Sequence, residues 1–85
     1  MFYTYILQSK KNGRKYVGST EDLKRRFREH NSGQGGKYTS NNRPLVLIYY
    51  ESYVNKKDAE NAEKFYKTGY GREVLNGKLK NYLLS

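Results

Sequence analysis

The sequence has no cysteine and a single histidine. Without cysteine, the chain can form neither a disulfide framework nor a thiolate metal site, and one histidine is too few for a multi-histidine zinc site. No stretch approaches the roughly 20 apolar residues that span a bilayer, and no apolar signal segment opens the chain. These absences argue against a zinc or membrane-spanning protein and favour a cytoplasmic one.

Tyrosine and positive charge, by contrast, are abundant. The 85 residues include ten tyrosines, although hydrophobic residues make up only 35% of the chain. A tyrosine buries its ring and keeps a polar tip, so it can help to close a small core. Lys and Arg number 17 against 8 Asp and Glu, a net charge of +9. This surplus predicts a polyanionic partner, with nucleic acid preferred over an anionic membrane because its phosphates release counterions. The remaining alternative is a basic protein without a special ligand.

A length of 85 residues predicts one domain over residues 1–85. The predicted elements are strands over 2–8 and 15–18, a helix over 21–30, a strand over 45–53, and helices over 56–68 and 72–84. The order β-β-α-β-α-α predicts an α+β fold in which helices flank a small three-stranded, mostly antiparallel sheet. The apolar run from 45 to 53 is the candidate for the central strand.

Local signals support several of these boundaries. Asn12-Gly13 is a favoured turn pair. Ser19 and Asp22 have the spacing of a capping box before the first long helix, and Asn55 is the expected N-cap of the second. Residues 33–42 are expected to form a polar loop.

The first long helix places two polar residues on its apolar face. At about 100° per residue, Arg26 and His30 fall on the side of Leu23 and Phe27. Lys24, Arg25 and Arg28 fall toward solvent. Arg26 and His30 are also four positions apart, so they lie on adjacent turns.

The second long helix shows the same pattern. Glu63 falls among Ala59, Ala62 and Tyr66, on the face expected to turn inward. An inward carboxylate and an inward guanidinium are costly unless they are paired or have a function. One interpretation is a structural Arg26–Glu63 ion pair; the other is a functional site.

The predicted hairpin adds two tyrosines. Tyr5 and Leu7 share one strand face. With a loop of about six to eight residues, Tyr16 lies opposite or diagonal to Leu7 and close to Tyr5. A tight two-residue turn would instead place Tyr16 opposite Ser9. Ordinary core packing is the alternative role for each tyrosine.

The glycine-rich segment 33–37 lacks the spacing of a phosphate-binding loop, and Tyr38 stands where that loop needs Ser or Thr. We interpret it as a basic loop without a nucleotide-binding role. It remains a candidate for contact with a nucleic-acid backbone.

Three short segments follow one another in a fixed order: Tyr3-Thr4-Tyr5, Tyr16-Val17-Gly18, and 19–31, which contains Arg26 and His30. This ordered set resembles the GIY-YIG nuclease superfamily, which includes phage homing endonucleases and the N-terminal nuclease domain of an excinuclease. Tyr3-Thr4-Tyr5 is similar to the first motif, although it lacks the glycine, and Tyr16-Val17-Gly18 is similar to the second. The segment 19–31 resembles the stretch that carries the family's arginine and histidine. The resemblance is closest to small single-domain members and covers nearly the whole chain.

The resemblance implies a metal-dependent endonuclease acting on DNA, with repair or the processing of branched, damaged or single-stranded forms as the expected roles. It implies that Glu63 holds Mg²⁺, or another divalent ion such as Mn²⁺, together with several waters. Arg26 would neutralise the scissile phosphate, and Tyr5 would position water or phosphate. Tyr16 is the candidate general base, which needs a metal or cation to lower its pKa. His30 would either relay a proton or bind phosphate.

Two alternatives belong to other functional classes. One is a non-catalytic nucleic-acid-binding module that retains the nuclease fold, and the other is a structural protein with an internal ion pair. For any nucleic-acid role, the expected backbone contacts are Arg25, Lys37, Arg43 and Lys64. The sequence does not specify the oligomeric state, and a monomer is compatible with it.

Overall fold

The computed structural model describes the backbone of residues 1–85 and the side chains of residues 1–36 and 39–85. Its elements are β1 (Phe2–Ser9), β2 (Lys15–Thr20), α1 (Leu23–Ser32), α2 (Lys37–Ser40), β3 (Leu45–Tyr53), α3 (Lys56–Tyr66), α4 (Gly69–Lys78) and α5 (Lys80–Leu84). The predicted α+β class and the antiparallel three-stranded sheet are confirmed. Nowhere in the described chain is a helix both long and apolar enough to cross a membrane.

The sheet has the strand order β2-β1-β3, so the central strand is β1. The prediction that residues 45–53 form the central strand is therefore wrong. Aromatic residues on β3 produce its continuous apolar pattern, but Tyr50 is 53% exposed at the sheet edge. In contrast, four consecutive residues of β1, Thr4 to Leu7, are buried because both sheet faces are covered there.

The two faces of β1 pack against different helices. On one face, Tyr5 and Leu7 pack with Leu23 and Phe27 of α1. On the other face, Ile6 packs with a cluster from α3 and α4 that includes Tyr66 and Leu75. The sheet is therefore a middle layer with α1 on one side and α3–α4 on the other.

Several helix ends differ from the predicted ones. Asp22, rather than Ser19, caps α1 by accepting a hydrogen bond from the backbone N–H of Arg25. The predicted Asn55 cap of α3 is confirmed, and Gly33 ends α1 in the left-handed region at φ 90°. The predicted polar loop contains the short helix α2, and the last predicted helix is two helices that meet at Leu79.

Candidate functional site

The pairing of β1 with β2 places the two motif tyrosines, Tyr5 and Tyr16, close to each other. Leu7 pairs with Tyr16 and Tyr5 pairs with Gly18. Six residues separate the last paired positions, Gln8 and Lys15, which gives the longer-loop register and excludes the tight-turn alternative. Tyr16 lies opposite Leu7 on the sheet face that α1 covers.

Gly18 allows the Tyr5 ring to lie across β2. A Cβ atom on Gly18 would lie 2.5 Å from Cζ of Tyr5, which is too close for any side chain. The second motif therefore needs its glycine because the first motif's tyrosine occupies the space above it.

His30 is held by two hydrogen bonds under the sheet face. It is only 5% exposed. Its Nε2 lies 2.9 Å from the hydroxyl of Tyr5 and its Nδ1 lies 3.0 Å from Oγ1 of Thr39. Burial, together with the nearby Arg26 charge, lowers the pKa of His30, which favours the neutral imidazole.

Burial also affects the Tyr5 hydroxyl. It raises the pKa of Tyr5, and the neighbouring Arg26 guanidinium acts in the opposite direction without cancelling the effect. Tyr5 is therefore a protonated phenol at neutral pH. A protonated phenol can hold a water molecule or a phosphate oxygen by hydrogen bonding, but it cannot act as a base.

Arg26 lies at the margin of the same region. Its side chain is 34% exposed. Nη1 donates to Oε1 of Glu29 at 3.1 Å, and Nη2 donates to the Gly35 carbonyl at 3.2 Å. These bonds orient the guanidinium while leaving part of it open to solvent.

Glu63 approaches from α3, around the β2 edge of the sheet. Its Oε1 accepts a hydrogen bond from the Ser19 hydroxyl at 2.6 Å, and its Oε2 lies 2.8 Å from Nζ of Lys67. Burial works to raise the pKa of Glu63, but the Lys67 and Ser19 donors outweigh it and lower that pKa. The carboxylate is thus ionised and 25% exposed.

These side chains line one open cavity of about 260 Å³. Its lining residues are Tyr5, Tyr16, Val17, Gly18, Ser19, Arg26, His30, Thr39 and Glu63. All five residues singled out by sequence thus lie around one space. The structural Arg26–Glu63 ion pair considered from the sequence is wrong, because Arg26 pairs with Glu29 and Glu63 pairs with Lys67.

The family model for the GIY-YIG catalytic domain matches residues 1–78. The chain belongs to the GIY-YIG family. A UPF0213 protein of Pediococcus acidilactici is 46% identical over 76 residues, covering 87% of this chain and 76% of that protein. A second, from Pediococcus pentosaceus, is 47% identical over 66 residues, covering 78% of this chain and 68% of that protein.

A solved structure is similar to this GIY-YIG chain. The solution NMR structure of a UPF0213 protein from Bacillus halodurans has a TM-score of 0.55 and 35% sequence identity, and the match covers 91% of this chain and 84% of that one. The matched segment spans only 65% of a UPF0213 protein of Streptococcus pneumoniae. GIY-YIG membership implies nuclease-type chemistry and a nucleic-acid partner, whereas the UPF0213 names specify no substrate.

Three of the four predicted backbone contacts lie outside the cavity of this GIY-YIG domain. Arg25 and Lys64 are exposed on α1 and α3. Arg43 is exposed and donates from Nε to the Ser40 carbonyl at 2.9 Å. The side chain of Lys37 lies outside the described part of the chain.

The sequence patterns missed three of the residues that hold the site together. Ser19 was expected at a helix cap, but β2 continues to Thr20 and turns Ser19 toward α3. Extending the strand alternation by two residues would have placed Ser19 on the same face as Val17. Lys67 follows Glu63 by four residues, and this i,i+4 spacing within the predicted helix could have indicated their ion pair. For Thr39, no pattern in the sequence indicated the contact with His30.

Proposed function

We propose that this chain is a metal-dependent endonuclease that hydrolyses phosphodiester bonds in DNA. The observation that carries the proposal is that the same open cavity is lined by Tyr5, Tyr16, Arg26, His30 and Glu63. The cavity combines an ionised carboxylate, a guanidinium and phenols, which are groups suited to phosphoryl chemistry. The proposed substrates are branched, damaged or single-stranded DNA, as in repair or processing, and the proposed location is the cytoplasm.

The donors around Glu63 fit a hard divalent cation. The cavity presents one carboxylate, that of Glu63, and the Ser19 hydroxyl donates to it; Tyr16 also belongs to the lining. Across the described residues, no group of three or more His, Cys, Asp and Glu could hold a metal ion. One carboxylate and retained waters suit Mg²⁺, or Mn²⁺ in its place. When bound, the cation would supply charge stabilisation and an acidified water.

The chain's own residues then have distinct roles. Arg26 offers its guanidinium to the nonbridging oxygens of the scissile phosphate, where negative charge grows during attack. Tyr16 accepts the proton of the attacking water and must be a phenolate to do so. The Tyr5 phenol holds the water or the phosphate.

The hydrogen bonds of His30 favour a positioning role. One ring nitrogen contacts Tyr5 and the other contacts Thr39. A buried, neutral imidazole with both nitrogens engaged is poorly placed to bind phosphate directly. Of the two roles expected from the sequence, this supports neither phosphate binding nor a direct relay from Tyr16. His30 instead holds the Tyr5 hydroxyl in place.

The test compares two carboxylates on the same helix. Glu63→Gln keeps the shape of the side chain but removes its charge, and Glu60→Gln is the matched control because Glu60 is exposed on α3. We expect Glu63→Gln to lower Mg²⁺-dependent cleavage on the order of 100-fold and Glu60→Gln to leave it unchanged. Labelled duplex, single-stranded and branched DNA, incubated with Mg²⁺ or with EDTA, provide the measurement.

Both variants should still bind DNA, since binding depends mainly on the basic residues. Cleavage by Glu63→Gln at the wild-type rate would refute the role of this carboxylate. If the wild-type protein binds all three DNAs and cleaves none of them with either Mg²⁺ or Mn²⁺, the chain is a non-catalytic nucleic-acid-binding module.

A further inference from the structure

A larger groove adjoins the candidate cavity. It has a volume of about 720 Å³ and lies between the β1–β2 hairpin and the α3–α4 corner. Tyr16 and Val17 line both the groove and the cavity. The two spaces therefore meet at the second motif, beside the candidate general base.

The rim of this groove is basic. Four exposed cations line it: Arg14 and Lys15 from the hairpin, and Lys67 and Arg72 from the end of α3 and from α4. Its described lining contains no carboxylate. Four positive groups from three parts of the chain thus face one space, which favours a polyanionic occupant.

The floor of the groove is apolar. It is formed in part by Val17, Tyr66 and Leu75. Tyr66 and Leu75 are only 4% and 2% exposed, so the half-buried Tyr16 and Val17 offer more apolar surface to the groove than they do. A surface of this kind can contact the flat face of a nucleobase.

Lys67 links the groove to the candidate cavity chemically. It lines the groove, and its Nζ lies 2.8 Å from Oε2 of Glu63. A phosphate bound at the groove end near Lys67 would therefore lie next to the carboxylate proposed to hold the metal. The groove is positioned to guide a strand toward that carboxylate.

We propose that this basic groove binds the unpaired DNA strand that flanks the scissile phosphate. The inference rests on the proposed function and specifies its substrate class. An unpaired strand can place its phosphates on the cationic rim while its bases contact the apolar floor. A duplex keeps its bases stacked inside, so it would use the rim alone.

The test removes charge from the groove without touching the candidate cavity. The double variant Lys15→Gln/Arg72→Gln changes two exposed rim residues. Lys24→Gln/Arg28→Gln is the matched control, because it removes one lysine and one arginine from the exposed side of α1. Fluorescence anisotropy with a labelled single-stranded oligonucleotide, in EDTA and over a range of NaCl concentrations, measures affinity without cleavage. Circular dichroism verifies that both variants are folded.

We expect the groove variant to bind single-stranded DNA about tenfold more weakly at low salt, and the control within about twofold of wild type. The plot of log affinity against log salt should become shallower by about 1.4, since each single-strand phosphate contact contributes about 0.7. A duplex of the same sequence should lose less affinity. Together these results support the proposal.

Other outcomes would overturn it. Equal losses in the two double variants would mean that charge over the whole surface, and not the groove, determines binding. A loss with duplex but not with single strands would refute the unpaired-strand assignment. Because binding is measured in EDTA, the result is separable from cleavage. If the wild-type protein cleaves DNA but the two double variants bind single-stranded DNA equally well, the groove proposal is refuted and the endonuclease proposal is not. If the groove variant alone loses affinity for single-stranded DNA but the wild-type protein cleaves no DNA, the endonuclease proposal is refuted and the groove proposal is not.

Discussion

At the scale of single residues, the candidate site depends on an unusual histidine environment. His30 is the chain's one histidine, and it is buried between Tyr5 and Thr39. The helical phase of α1 predicted that it would turn inward. The sequence could not predict its partner Thr39, because that contact depends on where the short helix α2 lies.

This burial makes the stability of the protein depend on pH. The charged groups acting on His30 are Arg26, which lowers its pKa with burial, and Glu29, which acts in the opposite direction. Because the folded pKa lies below the unfolded value of about 6.5, the unfolded chain takes up a proton first as the pH falls. The contribution of His30 to stability is therefore complete above pH about 6.5 and is lost as the pH falls toward the folded pKa.

We expect the urea midpoint to fall between pH 7 and pH 5 in the wild-type protein. The His30→Gln variant, which removes the imidazole, should show a smaller change over the same interval. The acidic groups with lowered pKa values, Glu51 and Glu63, titrate at still lower pH. An equally large fall in His30→Gln, or a midpoint that rises toward pH 5, would contradict this explanation.

At the scale of helices and strands, helical phase was the most reliable signal. It placed Arg26, His30 and Glu63 on inward faces, and it placed Lys24 and Lys64 on exposed ones, as the structure shows. Phase works here because an α-helix repeats its direction regardless of what it packs against. The tertiary partners of the same residues did not follow from phase.

Strand position was harder to predict. The apolar run of β3 resembles that of a central strand, but the hydroxyl groups of two of its tyrosines belong to a polar cluster. The hydroxyls of Tyr49, Tyr53 and Tyr66 donate to the carboxylate of Glu51 at 2.6, 2.5 and 2.6 Å. Burial and this carboxylate raise the pKa of Tyr53 to about 12. We therefore interpret Tyr49 and Tyr53 as hydrogen-bond donors to a partly buried charge, which explains why the strand is aromatic at a sheet edge.

The Glu51 cluster also fastens α3 to the sheet, since Tyr66 belongs to α3 and Glu51 to β3. Tyr66→Phe keeps the ring and removes one donor to a charged acceptor, so we expect a loss of about 1.5–3 kcal/mol in unfolding free energy. Tyr70→Phe is the control, because Tyr70 is 70% exposed and should change stability by less than about 0.5 kcal/mol. Urea unfolding of both variants provides the comparison, and equal stabilities would show that the cluster contributes little.

At the scale of the whole molecule, the candidate site is assembled around the β2 edge. Ser19 and Glu63 are 44 positions apart and come from β2 and α3, yet their side chains form a 2.6 Å hydrogen bond. Arg26 and His30 reach the same cavity from α1, which covers the opposite sheet face. The edge position of β2 allows side chains from both faces to meet. Strand order decides this, and the sequence predicted the wrong central strand, β3 instead of β1.

Net charge is the other property of the whole molecule. The protein carries a net charge of +9 and has a radius of gyration of only 12.4 Å, so its charges lie close together. The Debye length is about 30 Å at 0.01 M salt and about 10 Å at 0.1 M, so at low salt each charge acts on nearly every other. Repulsion between like charges then outweighs the attraction in pairs such as Lys67–Glu63, and it opposes the folded state.

Salt should therefore change stability and DNA binding in opposite directions. Raising NaCl from about 0.02 to about 0.3 M should increase the urea midpoint of the isolated protein, because screening relieves the self-repulsion of the folded chain. Over the same range the affinity for DNA should fall, because the counterions released on binding enter a more concentrated salt solution. Urea unfolding and fluorescence anisotropy in matched buffers measure the two effects. A midpoint that fell with salt would mean that local ion pairs, rather than the excess of positive charge, dominate the electrostatics of the fold.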